Sequence, residues 1–259
     1  MAGKALLFTR EDNVAIITLN RPEAFNTVSQ ELFEELSEHQ RAIEQDRSIR
    51  AVIINANGDH FSAGIDLNML RQVDSQHILE NLTWLQNLYG RWQEWPIPVI
   101  AAIHGLCYGS AVELILGCDI RIAAEDTRLS IPEVRFALSP DMGGTTRLTK
   151  LVGSGQAKRL IMGCEEIGAA EAFAIGLVEI VVPREKLMER AMKLAKKMTS
   201  LPPVAINFAK KGINVAADGS VAAGLLFEQA QSTFCCGTED QKEAIDAFLQ
   251  KRKPEFKGR

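Results

Sequence analysis

The chain has 259 residues, 46% hydrophobic and 24% charged, which allows one large domain or a domain plus an appendage. Its net charge of −4 argues against a broad nucleic-acid footprint. Five cysteines without a CxxC pair, and four histidines out of metal-ligand spacing, argue against a disulfide framework and a zinc site and fit a reducing cytoplasm.

Residues 1–10 carry one short apolar patch and no signal-peptide layout, and no apolar run is long enough to span a membrane. Residues 14–19 read as a short strand after a turn at Glu11-Asp12-Asn13. Thr27-Val28-Ser29-Gln30 has the form of a capping box, and its helix would place Leu32, Phe33, Leu36 and Ile43 on one face. Residues 51–54 are a β-rich apolar run that Asn57-Gly58-Asp59 breaks. A loop from Phe61 to Leu67 follows, and then Ile78, Leu82, Leu85 and Trp92 recur at helical spacing.

Trp95-Pro96-Ile97-Pro98 stops any helix, because each proline restricts itself and its predecessor. Residues 99–103 are apolar without alternation, which suits a strand buried on both faces. Gly105 and Gly109 mark a turn, residues 110–116 a helix and residues 119–123 another buried strand. This alternation predicts an α/β core with largely parallel strands. From Gln156 the chain turns helical, over 156–162, 171–175, 184–198, 204–216, 222–233 and 240–251, with one short strand at 179–182. Leu201-Pro202-Pro203 separates two helices and places a division there: a core over 1–200 and a helical region over 201–259. The basic residues at the end (Lys251, Arg252, Lys253, Lys257 and Arg259) read by default as a solvated helix end, with a phosphate contact as the alternative.

Residues 104–148 hold the richest chemistry. Glu113 sits in an apolar helix start, where an unpaired carboxylate is costly and its pKa should rise. Glu133 follows Pro132, and Asp141 stands in a Pro/Gly turn. Gly109-Ser110 opens the helix that carries Glu113, and Gly64-Ile65 lies in a loop after a buried strand. A backbone N–H at such a turn can point at a developing oxyanion, with the helix dipole adding to it.

Several separated motifs occur in one order: Asn20-Arg21-Pro22; Phe61-Ser62-Ala63-Gly64; Gly109 to Glu113 with Cys118-Asp119-Ile120; Pro132-Glu133; Gly143-Gly144-Thr145 with Arg147-Leu148; and Glu239-Asp240 through Ala247-Phe248 to Lys251-Arg252. In these the chain resembles the crotonase, or enoyl-CoA hydratase/isomerase, family over nearly its full length. The resemblance implies a spiral α/β core of ββα units and a C-terminal helical trimerisation region, assembled as a homotrimer or a homohexamer. Coenzyme A would arrive as part of an acyl-CoA substrate, with no separate cofactor and no metal. Arg21, Ala24, Ser62, Ala63 and Asp66 would line the coenzyme A site, and Phe248 and Lys251 would reach the nucleotide end from a neighbouring subunit. The amides of Ile65 and Ser110 would form the oxyanion hole. The family commonly has glycine at the position of Ser110, whose side chain here would narrow the acyl pocket or add a hydrogen bond.

The family's hydratases use two glutamates around one water, matching Glu113 and Glu133: one activates the water that attacks the β-carbon and one protonates the α-carbon. Asp141 adds a third acid. Its spacing from Glu133 matches dienoyl-CoA isomerases, which usually carry Asp where this chain has Glu113. The resemblance therefore implies hydration of a 2-enoyl-CoA to a 3-hydroxyacyl-CoA, with double-bond isomerisation through Asp141 as the alternative and acyl-CoA binding without turnover as a third. Two readings of other classes compete. Ser110 or Ser62 would be a hydrolase nucleophile, although Gly109-Ser110-Ala111-Val112 is not G-x-S-x-G. Gly153-Ser154-Gly155 would open a dinucleotide loop, although Lys158 replaces the third glycine.

Overall fold

In the computed structural model, which describes residues 4–259, nine strands and ten α-helices alternate among the described residues. Six strands form the main sheet: β1 (Leu6–Glu11), β2 (Val14–Leu19), β3 (Ala51–Ala56), β4 (Val99–Ile103), β6 (Ile120–Ala124) and β9 (Ile180–Val182), in that spatial order. β1 pairs antiparallel with β2, and every later pairing is parallel. A smaller sheet holds β5 (Leu106–Tyr108), β7 (Arg128–Ser130) and β8 (Ile167–Gly168).

The two sheets share one winding. β4, β5 and α4 (Ser110–Leu116) form a strand, strand, helix unit; β6, β7 and α5 (Gly144–Met162) form the next. An isolated parallel bridge from Ser62 to Cys107 places the loop after β3 as the matching rung before α3 (Ser75–Glu94). The chain is thus a spiral of ββα turns, and each turn delivers a loop and a helix N-terminus to the same side.

The main sheet is buried on both faces with period two. Val52, Ile54, Ala101 and Ile103 face a core shared with α1 (Gln30–Gln45), α3 and α4. Ile53, Ile100, Ala102 and Ile122 face Leu187, Ala191 and Ala195 of α7 (Leu187–Thr199). Truncating one such isoleucine, as in Ile53→Ala, would cost about 2–5 kcal/mol.

Beyond Ser200 come α8 (Pro203–Asp218), α9 (Val221–Cys236) and α10 (Glu239–Leu249). Lys210 of α8 enters the core side, donating to the carbonyls of Trp92 (2.6 Å) and Ile97 (2.9 Å) and to Asp119 (2.7 Å). Ile213, Val221, Leu226 and Phe234 of α8 and α9 are more than half exposed. The basic end folds back: Arg252 forks onto Glu243, and Asp240 accepts from the N–H groups of Lys257 and Gly258. No helix of the described residues is long and apolar enough to cross a membrane.

Some local expectations shift. The cap of α1 is Ser29, whose Oγ accepts from Leu32 N–H at 3.3 Å, so the helix starts at Gln30 and Thr27 stays outside it. Between Gly105 and Gly109 there is a short strand rather than one turn. The helix expected from 156 begins at Gly144, with a break at Gly153 (φ 79°). The apolar patch near the start forms β1 from Leu6 on, residues 1–3 lying outside the described residues, and α10 ends at Leu249, leaving Lys251 beyond it with φ 54°.

Candidate active site

A cavity of about 1500 Å³ opens where the ββα turns deliver their loops. One wall is the 63–66 loop, α2 (Leu67–Leu70) and the start of α3; the other is the N-terminus of α4 and residues 130–142.

Gly64 sets the first loop. Its φ is 91°, and a Cβ there would lie 2.7 Å from the Tyr108 carbonyl oxygen and 3.7 Å from Gly109 Cα. Only glycine lets this loop rest on the turn that starts α4. Val28 clamps the loop from both sides: its N–H donates to Gly64 O (2.8 Å) and its carbonyl accepts from Asp66 N–H (2.9 Å). The N–H of Ile65, between them, is not spent on any backbone carbonyl, nor is that of Ser110, first residue of α4. Two unspent amides therefore lie on residues that line one cavity, and the second is at a helix N-terminus whose first N–H groups have no intrahelical partner.

Glu113 lies three residues further along α4 and is 2% exposed. Its Oε1 accepts two N–H bonds at 2.9 Å, from Met142 and Gly144. Burial pushes its pKa up to about 8 against the opposing Gly144 N–H, and the charges of Glu133 and Asp141 push the same way. Glu133 opens a short 3-10 turn, Glu133–Phe136, after Pro132. A Cβ on Gly109 would sit 2.9 Å from Glu133 Oε1, so this glycine makes room for the carboxyl against the turn of α4. Glu133 Oε2 is buried without a hydrogen-bond partner, and burial again raises the pKa, with Asp141 adding to it. Asp141 lines the same cavity at a more open position, and partial burial raises its pKa. Three carboxyls thus converge on one cavity beside two unspent amides.

The other expected residues divide. Ala63 and Asp66 line the cavity, and Asp66 caps α2 by accepting from Asn68 N–H (2.8 Å). Ser62 does not line it: fully buried, its Oγ accepts from Gly64 N–H at 3.1 Å and shapes the loop. Arg21 and Ala24 lie outside the lining, on a segment tied to the 57–60 loop by Asn26, which donates to Asn57 O and His60 O at 2.8 Å each. Phe248, 83% exposed, and Lys251 also lie outside it.

The competing motifs do not assemble. His104 bonds Gly58 O, His60 accepts from Leu106 N–H, and neither meets Ser62 or Ser110. Gly153 is a kink inside a helix, with no strand leading into it. Among the described residues no three potential ligands cluster for a metal ion. Sequence reasoning missed the Met142 and Gly144 amides, because a backbone donor has no residue signature.

A family model described as Enoyl-CoA hydratase/isomerase matches residues 9–259. The chain belongs to the enoyl-CoA hydratase/isomerase family. It is 37% identical over 254 residues to the 2,3-dehydroadipyl-CoA hydratase of Escherichia coli (strain K12), covering 98% of this chain and 99% of that one. The short-chain-enoyl-CoA hydratase of Clostridium acetobutylicum is also 37% identical, covering 98% of each. A crystal structure of enoyl-CoA hydratase from Bacillus anthracis superposes with a TM-score of 0.94 at 35% identity, covering 98% of this chain and all of that one. The spiral α/β core and the C-terminal helices are those of this enoyl-CoA hydratase/isomerase fold.

Proposed function

We propose that this chain adds water across the α,β double bond of a 2-enoyl-CoA, giving a 3-hydroxyacyl-CoA. The observation that carries this reading is the convergence of Glu113 and Glu133 on one cavity beside the unspent amides of Ile65 and Ser110. The full-length likeness to hydratases supports it.

The amides of Ile65 and Ser110 receive the thioester oxygen. As electron density moves from the β-carbon toward that oxygen, they meet the growing charge in a preorganised, water-poor setting. Burial disfavours the ionised form of both glutamates, and the charge of Glu133 adds to the cost of ionising Glu113, so in this reading the pair holds one proton between them. The ionised carboxylate takes a proton from the attacking water, whose oxygen bonds to the β-carbon. The protonated carboxyl gives its proton to the α-carbon. The substrate gains one H and one OH, and the pair keeps one proton, now on the other partner. The two N–H bonds to Glu113 hold its carboxyl in place during this exchange.

Coenzyme A belongs to the substrate in this account, carried past Ala63 and Asp66 with Arg21, Ala24 and the Ser62 loop behind them. Residues 201–259 serve self-association into a trimer or hexamer, which would cover the exposed apolar side chains of α8 and α9 and bring Phe248 and Lys251 to a neighbour's nucleotide.

One observation favours a second reading: Asp141 lines the same cavity as a third carboxyl. With a 3,5-dienoyl-CoA it would exchange a proton at the far end of the conjugated chain and shift the double bonds. A panel of 2-enoyl- and 3,5-dienoyl-CoA thioesters with product analysis separates the readings. Hydration yields 3-hydroxyacyl products, isomerisation yields conjugated dienes of unchanged mass, and binding with no product leaves a dead site.

A further inference from the structure

Both N–H groups that hold Glu113 come from one short turn, residues 142–144, which leads into α5. That turn is gripped by one residue, Arg147, in the first coil of α5. Its Nη1 donates to Met142 O at 3.0 Å, and its own backbone N–H donates to Gly143 O at 2.8 Å. Its Nε donates to Gln93 Oε1 of α3 at 2.9 Å. Met142 is therefore held at both ends, its carbonyl by Arg147 and its N–H by Glu113. The anchor on α3 is itself fixed, because Asn214 of α8 donates to Gln93 O at 2.9 Å.

Two glycines open the slot for this guanidinium. Gly143 has φ 117°, and a Cβ there would run into Arg147 Nη1. A Cβ on Gly90, inside α3, would lie 2.5 Å from Arg147 Nη2. Glycine inside a helix costs stability, and here it leaves room for one side chain from α5. Arg147 is half-buried, and desolvation lowers its pKa against the attraction of Glu113 and Glu94. Yet the acceptors of its side chain are a backbone carbonyl and an amide oxygen, both neutral. A partly desolvated cation spent in this way fixes geometry more than it gains from charge.

We propose that Arg147 is a positioning residue: by bonding Met142 O and Gln93 at once, it sets the turn whose N–H groups hold the Glu113 carboxyl in its working position. This rests on the hydratase reading for what Glu113 does, but not for what Arg147 holds. Nε and Nη1 point from one rigid plane at oxygens on two different elements. An ammonium on a flexible stem keeps the charge without fixing that arrangement.

The test compares Arg147→Met, Arg147→Lys and Gln93→Leu with the wild type, by hydration kinetics on a 2-enoyl-CoA and by amide hydrogen exchange read residue by residue in the intact protein. Arg147→Met should lower kcat by about 100-fold with KM changing little. Exchange of the Met142 and Gly144 N–H groups should speed up by about tenfold, while the amides of β3 and β4 hold. Arg147→Lys should recover only a small part of either effect. Gln93→Leu, which changes no charge, should show the same two effects at smaller size. Unchanged kcat and turn exchange in Arg147→Met overturn the proposal, as does full recovery in Arg147→Lys, which would leave charge alone as the role. Exchange that speeds up equally in β3, β4 and the turn also overturns it, since the residue would then be merely structural. If the wild type hydrates no enoyl-CoA, the hydratase reading fails while turn exchange still decides the role of Arg147. Should Arg147→Met not fold, Gln93→Leu carries the decision, and wild-type exchange at Met142 and Gly144 in that variant overturns the proposal.

Discussion

Glu113 and Gly144 are fitted to each other: the carboxyl Oε1 accepts the Gly144 N–H at 2.9 Å, and a Cβ on Gly144 would lie 2.9 Å from that same oxygen. A Cβ would also sit 2.5 Å from Pro140 Cβ, so it has nowhere to retreat. Gly144→Ala should therefore displace the Glu113 carboxyl without touching a charged group. The expected result is a fall in kcat of about 100-fold with a smaller change in KM, the penalty typical of a misplaced reacting group. Steady-state kinetics on a 2-enoyl-CoA, with circular dichroism as a folding check, measure it.

Asp141 separates the two readings of the reaction. If hydration runs on Glu113 and Glu133, Asp141→Asn should lower hydration kcat less than about tenfold, since it removes neither the water's base nor the α-carbon's acid. The same variant should abolish any diene formation from a 3,5-dienoyl-CoA. Product analysis by mass and absorbance distinguishes the two.

Burial of Glu113 makes stability depend on pH in a defined direction. Its pKa in the folded chain is about 8 against an ordinary 4.5. Between those values the folded state binds the proton and the unfolded state does not, so stability falls as pH rises from about 4.5 to about 8. Glu113→Gln removes this dependence. It should be more stable than the wild type at pH 8, by an amount on the order of a few kcal/mol, and the gain should shrink toward pH 5. Thermal melts of both proteins across this range read it out.

The Lys210–Asp119 pair ties α8 to the core, with side chains 8% and 18% exposed. Desolvation lowers the Lys210 pKa and raises that of Asp119, in each case outweighing the attraction of the partner. Lys210→Met leaves Asp119 buried and uncompensated and should cost about 3–5 kcal/mol in chemical denaturation. The double variant Lys210→Met, Asp119→Leu should cost less than the single one.

Much of this arrangement was legible in the residues. The buried strands β3, β4 and β6 announced themselves as apolar runs, and α4 was bounded by Gly109 and Gly117 at its true ends. The short strand β5 was not legible, because three residues carry too little periodicity to separate from a turn. The cap of α1 fell on Ser29 because Val28 is committed to the Gly64–Asp66 loop, a long-range bond that local pattern cannot report. Glu113 and Glu133 emerged from motif order, whereas the amides that hold Glu113 emerged only from the fold.

The central claim is that Glu113 and Glu133 together hydrate a 2-enoyl thioester. The most direct measurement follows the loss of conjugated-thioester absorbance when the protein is mixed with crotonyl-CoA, for the wild type, Glu113→Gln, Glu133→Gln and the double variant. The account predicts rapid loss for the wild type, a fall of about 10²–10⁴-fold for each single variant, and little further fall for the double variant because the two act as a unit. Wild-type rates retained in both single variants would contradict it.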